Sequence, residues 1–272
     1  MAPLAAVLMD PDILAYYERG EEAGRLTAAP HNLLELLRTQ AILRAALPAP
    51  PARVLDVGGA AGVHARRLAA DGYEVRLIDP VPLHVEQARA AGLEAELGDA
   101  RELSAGDASA DVVLMLGPLY HLPERAERLR ALAEARRVLR AGGLLVAAAI
   151  SRFASTLDGL RMGALADPAF RANVDHALAT GVHRNPDRVP SWFTTAYFHR
   201  PKDLRAEVED AGFADVRLIG VEGPAWLLGD LGGWLDDGER RALLLERLAR
   251  LEDEPALIGA SAHLLALARS PA

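Results

Sequence analysis

Cysteine does not occur among the 272 residues. Its absence excludes disulfides, thiolate metal sites and every mechanism with a cysteine nucleophile, cytosine C5 methylation and thiol-dependent arsenic chemistry among them. Long apolar runs are missing too. A membrane-spanning helix needs about 20 residues, and the longest candidates, such as residues 144–150, are interrupted within two turns. Residues 1–9 are apolar but lack the basic flank and the length of a secretory signal. The expected location is therefore cytoplasmic, with no membrane partner. Basic charge is in deficit, 30 Lys and Arg against 38 Asp and Glu, for a formal net charge of -8. That field repels phosphate backbones, so no nucleic-acid partner is expected. No HExxH pair and no phosphate loop ending in Gly-Lys-Ser/Thr is present, and no metal is expected. His64, His84 and His176 stand singly and read as surface or capping residues. What remains, 51% hydrophobic and 25% charged, is a chain able to bury a large core as a globular enzyme of one or two domains.

Between residues 53 and 150 short β-branched or leucine-rich runs alternate with helical patterns, the signature of a doubly wound parallel sheet. Strands are expected at 53–57, 75–78, 94–97, 111–116 and 144–150. Helices are expected at 63–70, at 82–91 and from Pro123 to the glycines at 142 and 143. The run at 111–116 is nearly all apolar, as a strand covered on both faces must be. Ahead of this core, 11–26 and 32–47 read as two helices. Beyond it, 151–200 breaks the rhythm with aromatic residues among prolines and glycines and reads as a lid without strands. A helix at 201–211, a strand at 216–221, a helix at 237–251 and a strand at 262–268 complete the chain. The expected organisation is an N-terminal helical lid (1–50), an α/β core (51–150), an insertion that builds a pocket (151–200) and a C-terminal part of the core (201–272).

The segment Val54-Leu55-Asp56-Val57-Gly58-Gly59-Ala60-Ala61-Gly62 runs from a strand through an acidic residue and a glycine turn into a helix, a candidate nucleotide loop. The dinucleotide pattern requires a third glycine five positions after the first, where Val63 stands instead. A carboxylate at Asp56 would also repel a pyrophosphate, but would favour a ligand carrying an ammonium and a sulfonium. S-adenosylmethionine (SAM) is such a ligand. Two further acids follow the next two strands, Asp79 before Pro80 and Asp99 between Gly98 and Ala100. Singly, each acid could terminate a strand, cap a helix or close a turn. Together they converge on the crevice where open α/β sheets bind ligands.

On these residues the chain resembles the class I SAM-dependent methyltransferases, over roughly residues 53–150. The resemblance implies a seven-stranded, mostly parallel α/β sheet of the Rossmann-like methyltransferase type, with SAM as cofactor and S-adenosylhomocysteine as product. Asp56, Gly58, Ala60 and Gly62 match the family's first motif, with Ala60 in place of its usual middle glycine. Asp79 matches the acid that binds the ribose hydroxyls, and Asp99 the acid that receives the adenine amino group. Gly59, Pro80, Ala100 and Leu116 complete the implied cofactor contacts, and Tyr17 or Arg25 would reach the methionine carboxylate. Tyr120 and His121, at the exit of the fourth strand, lie where the family places groups beside the transferring methyl and are the candidate catalytic pair. Tyr16, Trp192, Tyr197 and His199 are the candidate acceptor-pocket residues, and His183 with Arg184 could meet an anionic group. Each of these aromatic residues could equally be ordinary packing.

The expected function is methyl transfer to an oxygen or nitrogen of a small molecule, a specialised metabolite, by a monomer or homodimer. Two other readings stand beside it: transfer to a protein or RNA, and SAM binding without transfer.

Overall fold

A computed structural model describes residues 9–271. The apolar segment at 1–8, read above for a leader, lies outside the described residues. The chain begins with three helices, α1 (Pro11–Tyr17), α2 (Glu22–Arg25) and α3 (Pro30–Ala46). The alternating core follows as β1 (Arg53–Val57), α4 (Val63–Ala70), β2 (Glu74–Asp79), α5 (Pro82–Ala90), β3 (Glu94–Leu97) and β4 (Ala110–Met115). A 3-10 turn at Pro118–His121 precedes α6 (Arg125–Val138) and β5 (Leu139–Ser151). Next come α7 (Ala154–Met162), α8 (Pro168–Thr180), β6 (Val182–His183), β7 (Ala196–His199), α9 (Pro201–Asp210) and β8 (Ala214–Gly220). The chain closes with α10 (Leu231–Asp236), α11 (Gly238–Ala249), α12 (Pro255–Ile258) and β9 (His263–Arg269).

The main sheet has seven strands in the order β3-β2-β1-β4-β5-β9-β8, parallel except for β9, which runs against both of its neighbours. Val112, Val113, Leu114 and Met115 of β4 are all at 0% exposure, because apolar layers cover both faces of the sheet. This is the doubly wound α/β architecture expected from the alternation. It brings the C-terminal ends of β1, β2, β3 and β4 to one edge, where each strand's last residues meet a turn.

Four local expectations are corrected. The first expected helix is broken into α1 and α2 around Gly20, which adopts φ +76. Pro123 lies ahead of α6 rather than in its first turn, because the chain makes the 3-10 turn first. Gly142 and Gly143 do not end α6. They lie in the irregular first part of β5, where Gly142 N–H donates to Ser270 O and Gly143 O accepts from Ser270 N–H. The insertion does contain strands: β7 pairs in parallel with the end of β5 through Ile150↔Phe198 and Ser151↔His199, and β6 pairs with β7. Among the described residues, no helix is long and apolar enough to cross a membrane.

Candidate functional site

A cavity of about 590 Å³ opens along the edge where the strands end, running from Asp99 past Asp79 and Asp56 to Glu35 and His263. The glycine turn after β1 forms its floor. Gly58 takes φ +69, and a Cβ there would meet the Pro118 ring at 2.8 Å. At Gly59 a Cβ would lie 2.5 Å from Oδ2 of Asp56. The turn therefore admits no side chain at these two positions and leaves its backbone bare toward the cavity. Ala60 holds a left-handed φ of 49 despite its methyl, and its N–H donates to Asp79 Oδ2 at 2.9 Å. Asp79 thus fixes the turn in the conformation that the missing glycine would have adopted freely.

The three acids differ in their surroundings. Asp56 is 1% exposed, its Oδ1 has no hydrogen-bond partner, and burial followed by repulsion from Asp79 pushes its carboxyl up to about 7. Asp79 is 3% exposed and accepts from Val81 N–H at 2.9 Å and His84 Nδ1 at 3.0 Å through Oδ1. Asp99 is held by Arg101, whose Nη2 reaches Oδ2 at 2.6 Å. Burial alone would raise Asp99, but these bonds leave it below the usual carboxylate range. Arg101 also bonds Glu127, so the Asp99 end of the cavity carries its own counter-charge.

Tyr120 and His121 line the cavity with Tyr17. The Tyr17 hydroxyl lies 2.6 Å from His121 Nε2, while His121 Nδ1 faces Thr195 O at 3.4 Å. The carbonyl can only accept, so Nδ1 carries the proton and Nε2 accepts from Tyr17. Burial lowers His121 to about 4, so the ring is neutral near pH 7. Burial likewise raises the phenols of Tyr17 and Tyr120.

Beyond the glycine turn, the far wall is an alternating chain of charges. Arg25 donates to Glu22 Oε1 at 2.9 Å and forks onto Glu35 at 2.8 and 3.0 Å. Glu35 lies 3.9 Å from His263 Nδ1, which is 2.5 Å from Glu222 Oε1. Burial would raise Glu35, but His263 and Arg25 outweigh it and draw the carboxyl to about 2. Burial would lower His263, but Glu35 and Glu222 lift it to about 9. Glu35, Glu222 and His263 each bring one donor atom within 4.8 Å of the others, a spacing a metal ion could use. Of this wall, sequence reasoning named Arg25 and passed over Glu35, Glu222 and His263. Those three lie at positions 35, 222 and 263, with no motif spacing to connect them.

Asp56, Gly58, Gly59, Ala60, Asp79, Pro80, Asp99, Ala100, Leu116, Tyr17 and Arg25 all line the cavity, whereas Gly62 sits just behind it as the N-cap of α4. Four of the expected pocket residues lie off its lining. Tyr16 packs edge-on against Tyr17 and Phe193, under Arg19. Trp192 packs on Phe170. Tyr197 lies beneath the Arg128 guanidinium, 3.7 Å from its ring centre. His199 is 0% exposed and bonds Glu207 at 3.1 Å. The reason is electrostatic: Arg128 and Glu207, both buried, pair at 2.7 and 2.8 Å, and the two rings complete that network instead of facing a ligand. Of 151–200, Arg184 alone is on the lining. His64 and His84, read as surface or capping residues, face the cavity, and His84 is 2% exposed with Nε2 unpartnered.

Residues 55–147 match the family model described as a methyltransferase domain. An uncharacterized methyltransferase of Mycobacterium tuberculosis is 41% identical over 101 residues, 36% of this chain and 40% of that protein. The matched region thus spans well under half of the curated relative. Among solved structures, a SAM-dependent methyltransferase of Thermotoga maritima, described as a possible histamine N-methyltransferase, superposes with TM-score 0.58 at 19% identity, over 95% of this chain and 98% of that one. A SAM-dependent methyltransferase of Methanosarcina mazei gives TM-score 0.57 at 19% identity, over 85% and 97%. Phosphoethanolamine N-methyltransferase 2 of Haemonchus contortus, solved with SAM, gives 0.58 at 14% identity, over 96% and 60%. The residues present fit the same cofactor, for two reasons seen in the site itself. Asp56 is a buried carboxylate oxygen short of a partner, and the glycine turn leaves a cradle that a Cβ would fill.

Proposed function

We propose that this chain, whose residues 55–147 match a methyltransferase-domain model and whose fold superposes on a SAM-dependent methyltransferase, transfers the methyl group of SAM to an oxygen or nitrogen of a small molecule. The observation that carries the reading is the continuous lining from Asp99 through Asp79 and Asp56 to a chamber shared with α1, α2 and α3. When bound, SAM supplies a methyl group already activated on a sulfonium, so positioning can supply much of the acceleration. Asp99 would hold the adenine amino group, Asp79 the ribose hydroxyls and Asp56 the ammonium. Ionised Asp56 gains a counter-charge in the same event that stops it being an unpaired buried anion. Tyr17 and His121 stand as a neutral hydrogen-bonded pair able to orient an acceptor.

A small acceptor is favoured by the volume, about 590 Å³, which falls in the range of small-molecule sites. Residues 9–11, Tyr17 and Arg184 contribute to the lining, so the N-terminal segment and one residue of the 151–200 insertion act as the lid. The test is calorimetry with SAM and S-adenosylhomocysteine, followed by transfer of labelled methyl to a panel of small metabolites and to protein and RNA fractions. Saturable binding with label found only in small molecules is expected. Absence of cofactor binding, or label confined to polymer, overturns the reading.

A further inference from the structure

Most of the accepting capacity of the Asp79 carboxylate is already used inside the protein. Oδ1 accepts from Val81 N–H at 2.9 Å and from His84 Nδ1–H at 3.0 Å, and Oδ2 accepts from Ala60 N–H at 2.9 Å. A carboxylate offers about four lone-pair positions, so room remains for one further donor, on Oδ2. The ribose that the reading above gives to Asp79 brings two adjacent hydroxyls. The acceptors beside Asp79 are engaged as well: Ile78 O takes Gly58 N–H, Asp79 O takes Gly98 N–H, and Val81 O takes the N–H groups of His84 and Val85. Its neighbours in the lining, Ala60, Ile78, Pro80 and Val81, bring no polar side chain.

An acceptor that is still open stands on His84. This residue lies in the first turn of α5, five positions after Asp79, and its side chain lines the cavity at 2% exposure. A carboxylate oxygen can only accept, so Nδ1 carries the proton and Nε2 is left with its lone pair. That nitrogen is buried and has no hydrogen-bond partner. A buried acceptor without a donor carries a cost that a ligand hydroxyl would remove. The ring is held in place from two sides, by Asp79 at Nδ1 and by Tyr17 of α1, which packs edge-on with ring centres 5.1 Å apart.

We propose that His84 is a cofactor-binding residue and that the ribose diol is shared, one hydroxyl donating to Asp79 Oδ2 and its neighbour to His84 Nε2. This rests on the methyl-transfer reading above. Asp79 then acts twice, once as a direct acceptor and once through His84, whose tautomer it sets. The shared diol makes the site selective for a nucleoside that carries both hydroxyls, because loss of either leaves a buried acceptor unpaired.

The probes are S-adenosylhomocysteine and its 2′-deoxy and 3′-deoxy analogues, titrated calorimetrically into the full chain at pH 8. Each analogue should bind the wild type about three- to tenfold more weakly than the parent, the effect of one hydrogen bond. His84→Asn places an amide N–H where Nδ1–H stands, so Asp79 keeps its donor while Nε2 is lost. The variant should bind the parent more weakly by the same factor, yet bind one of the two analogues as tightly as the wild type does. Equal affinity of variant and wild type for the parent overturns the proposal, and so does a loss of the same size for the parent and both analogues. The wild type alone gives a second readout. With 15N-labelled histidine, the Nε2 resonance of His84 should move farther with the parent than with one of the analogues; the same response to all three ligands, or none, overturns the proposal without any variant. A wild type that binds no S-adenosylhomocysteine is a different result, and it removes the methyl-transfer reading on which the proposal stands.

Discussion

Asp56→Asn should stabilise the free protein while weakening its cofactor. The carboxyl is 1% exposed, has an oxygen without a partner and is pushed from an ordinary 3.8 up to about 7, first by burial and then by Asp79. A folded value above the unfolded one removes stability as pH rises. The penalty is absent below pH 3.8, grows through the interval and is complete above about 7. Its full size is roughly 4 kcal/mol, an upper figure because the turn relaxes around the charge. The amide carries no charge, so the variant should melt about 5 °C higher than wild type at pH 8 and equal to it at pH 4. Cofactor affinity should move the other way, falling about tenfold or more with the loss of a charge-assisted contact. Wild type should also release a proton on binding SAM at pH 6, because the ammonium favours the ionised carboxyl. Calorimetry in two buffers of different ionisation enthalpy reads that proton, and the variant should release none from this position. A melting difference of the same size at pH 4 and pH 8 would refute the electrostatic account of Asp56. Buffer-independent enthalpy in the wild type would remove it from the ammonium's site.

Asp79→Ala should lower SAM affinity at least several-fold and also lower the melting temperature, since Ala60 N–H and Val81 N–H lose their acceptor; unchanged calorimetry takes Asp79 out of the site. His121→Ala should reduce turnover more than cofactor affinity. Burial holds that ring neutral down to about 4, so the variant's pH–rate profile between 6 and 8 should keep the wild-type shape; a profile that changes shape there excludes the neutral-pair account. Glu207→Gln should cost about 3–5 kcal/mol at pH 7 by leaving Arg128 buried without its carboxylate. Burial opposes ionisation of Glu207, but its bonds to Arg128 and His199 hold it at about 2. Its contribution is therefore complete above 4.5 and fades as pH falls toward 2, and denaturant melts across that interval should show the wild type and the variant converging.

The cofactor half of the cavity was legible because it is local. A strand, an acid, a glycine turn and a helix follow one another within residues 53–70, and each later strand carries its acid at its own end. The acceptor half was not. Tyr197 and His199 carry the aromatic and titratable character of a pocket, yet a buried Arg128–Glu207 pair from α6 and α9 draws both inward. His64 and His84 have no spacing that marks them, and face the cavity only because α4 and α5 begin beside it. Glu35, Glu222 and His263 meet across more than two hundred residues of chain.

The order of apolar and polar residues by itself determined the alternating core, the bare glycine turn and the three acids at the strand ends. Periodicity and turn chemistry act over a few residues, so sequence neighbours suffice to fix them. Only the folded chain decided which ionisable groups are left without a partner. Asp56 keeps an open oxygen and His84 an open nitrogen, while Glu35 and Glu222 are committed elsewhere. A charge's chemistry depends on its burial and its partners, and both are properties of the packed tertiary structure.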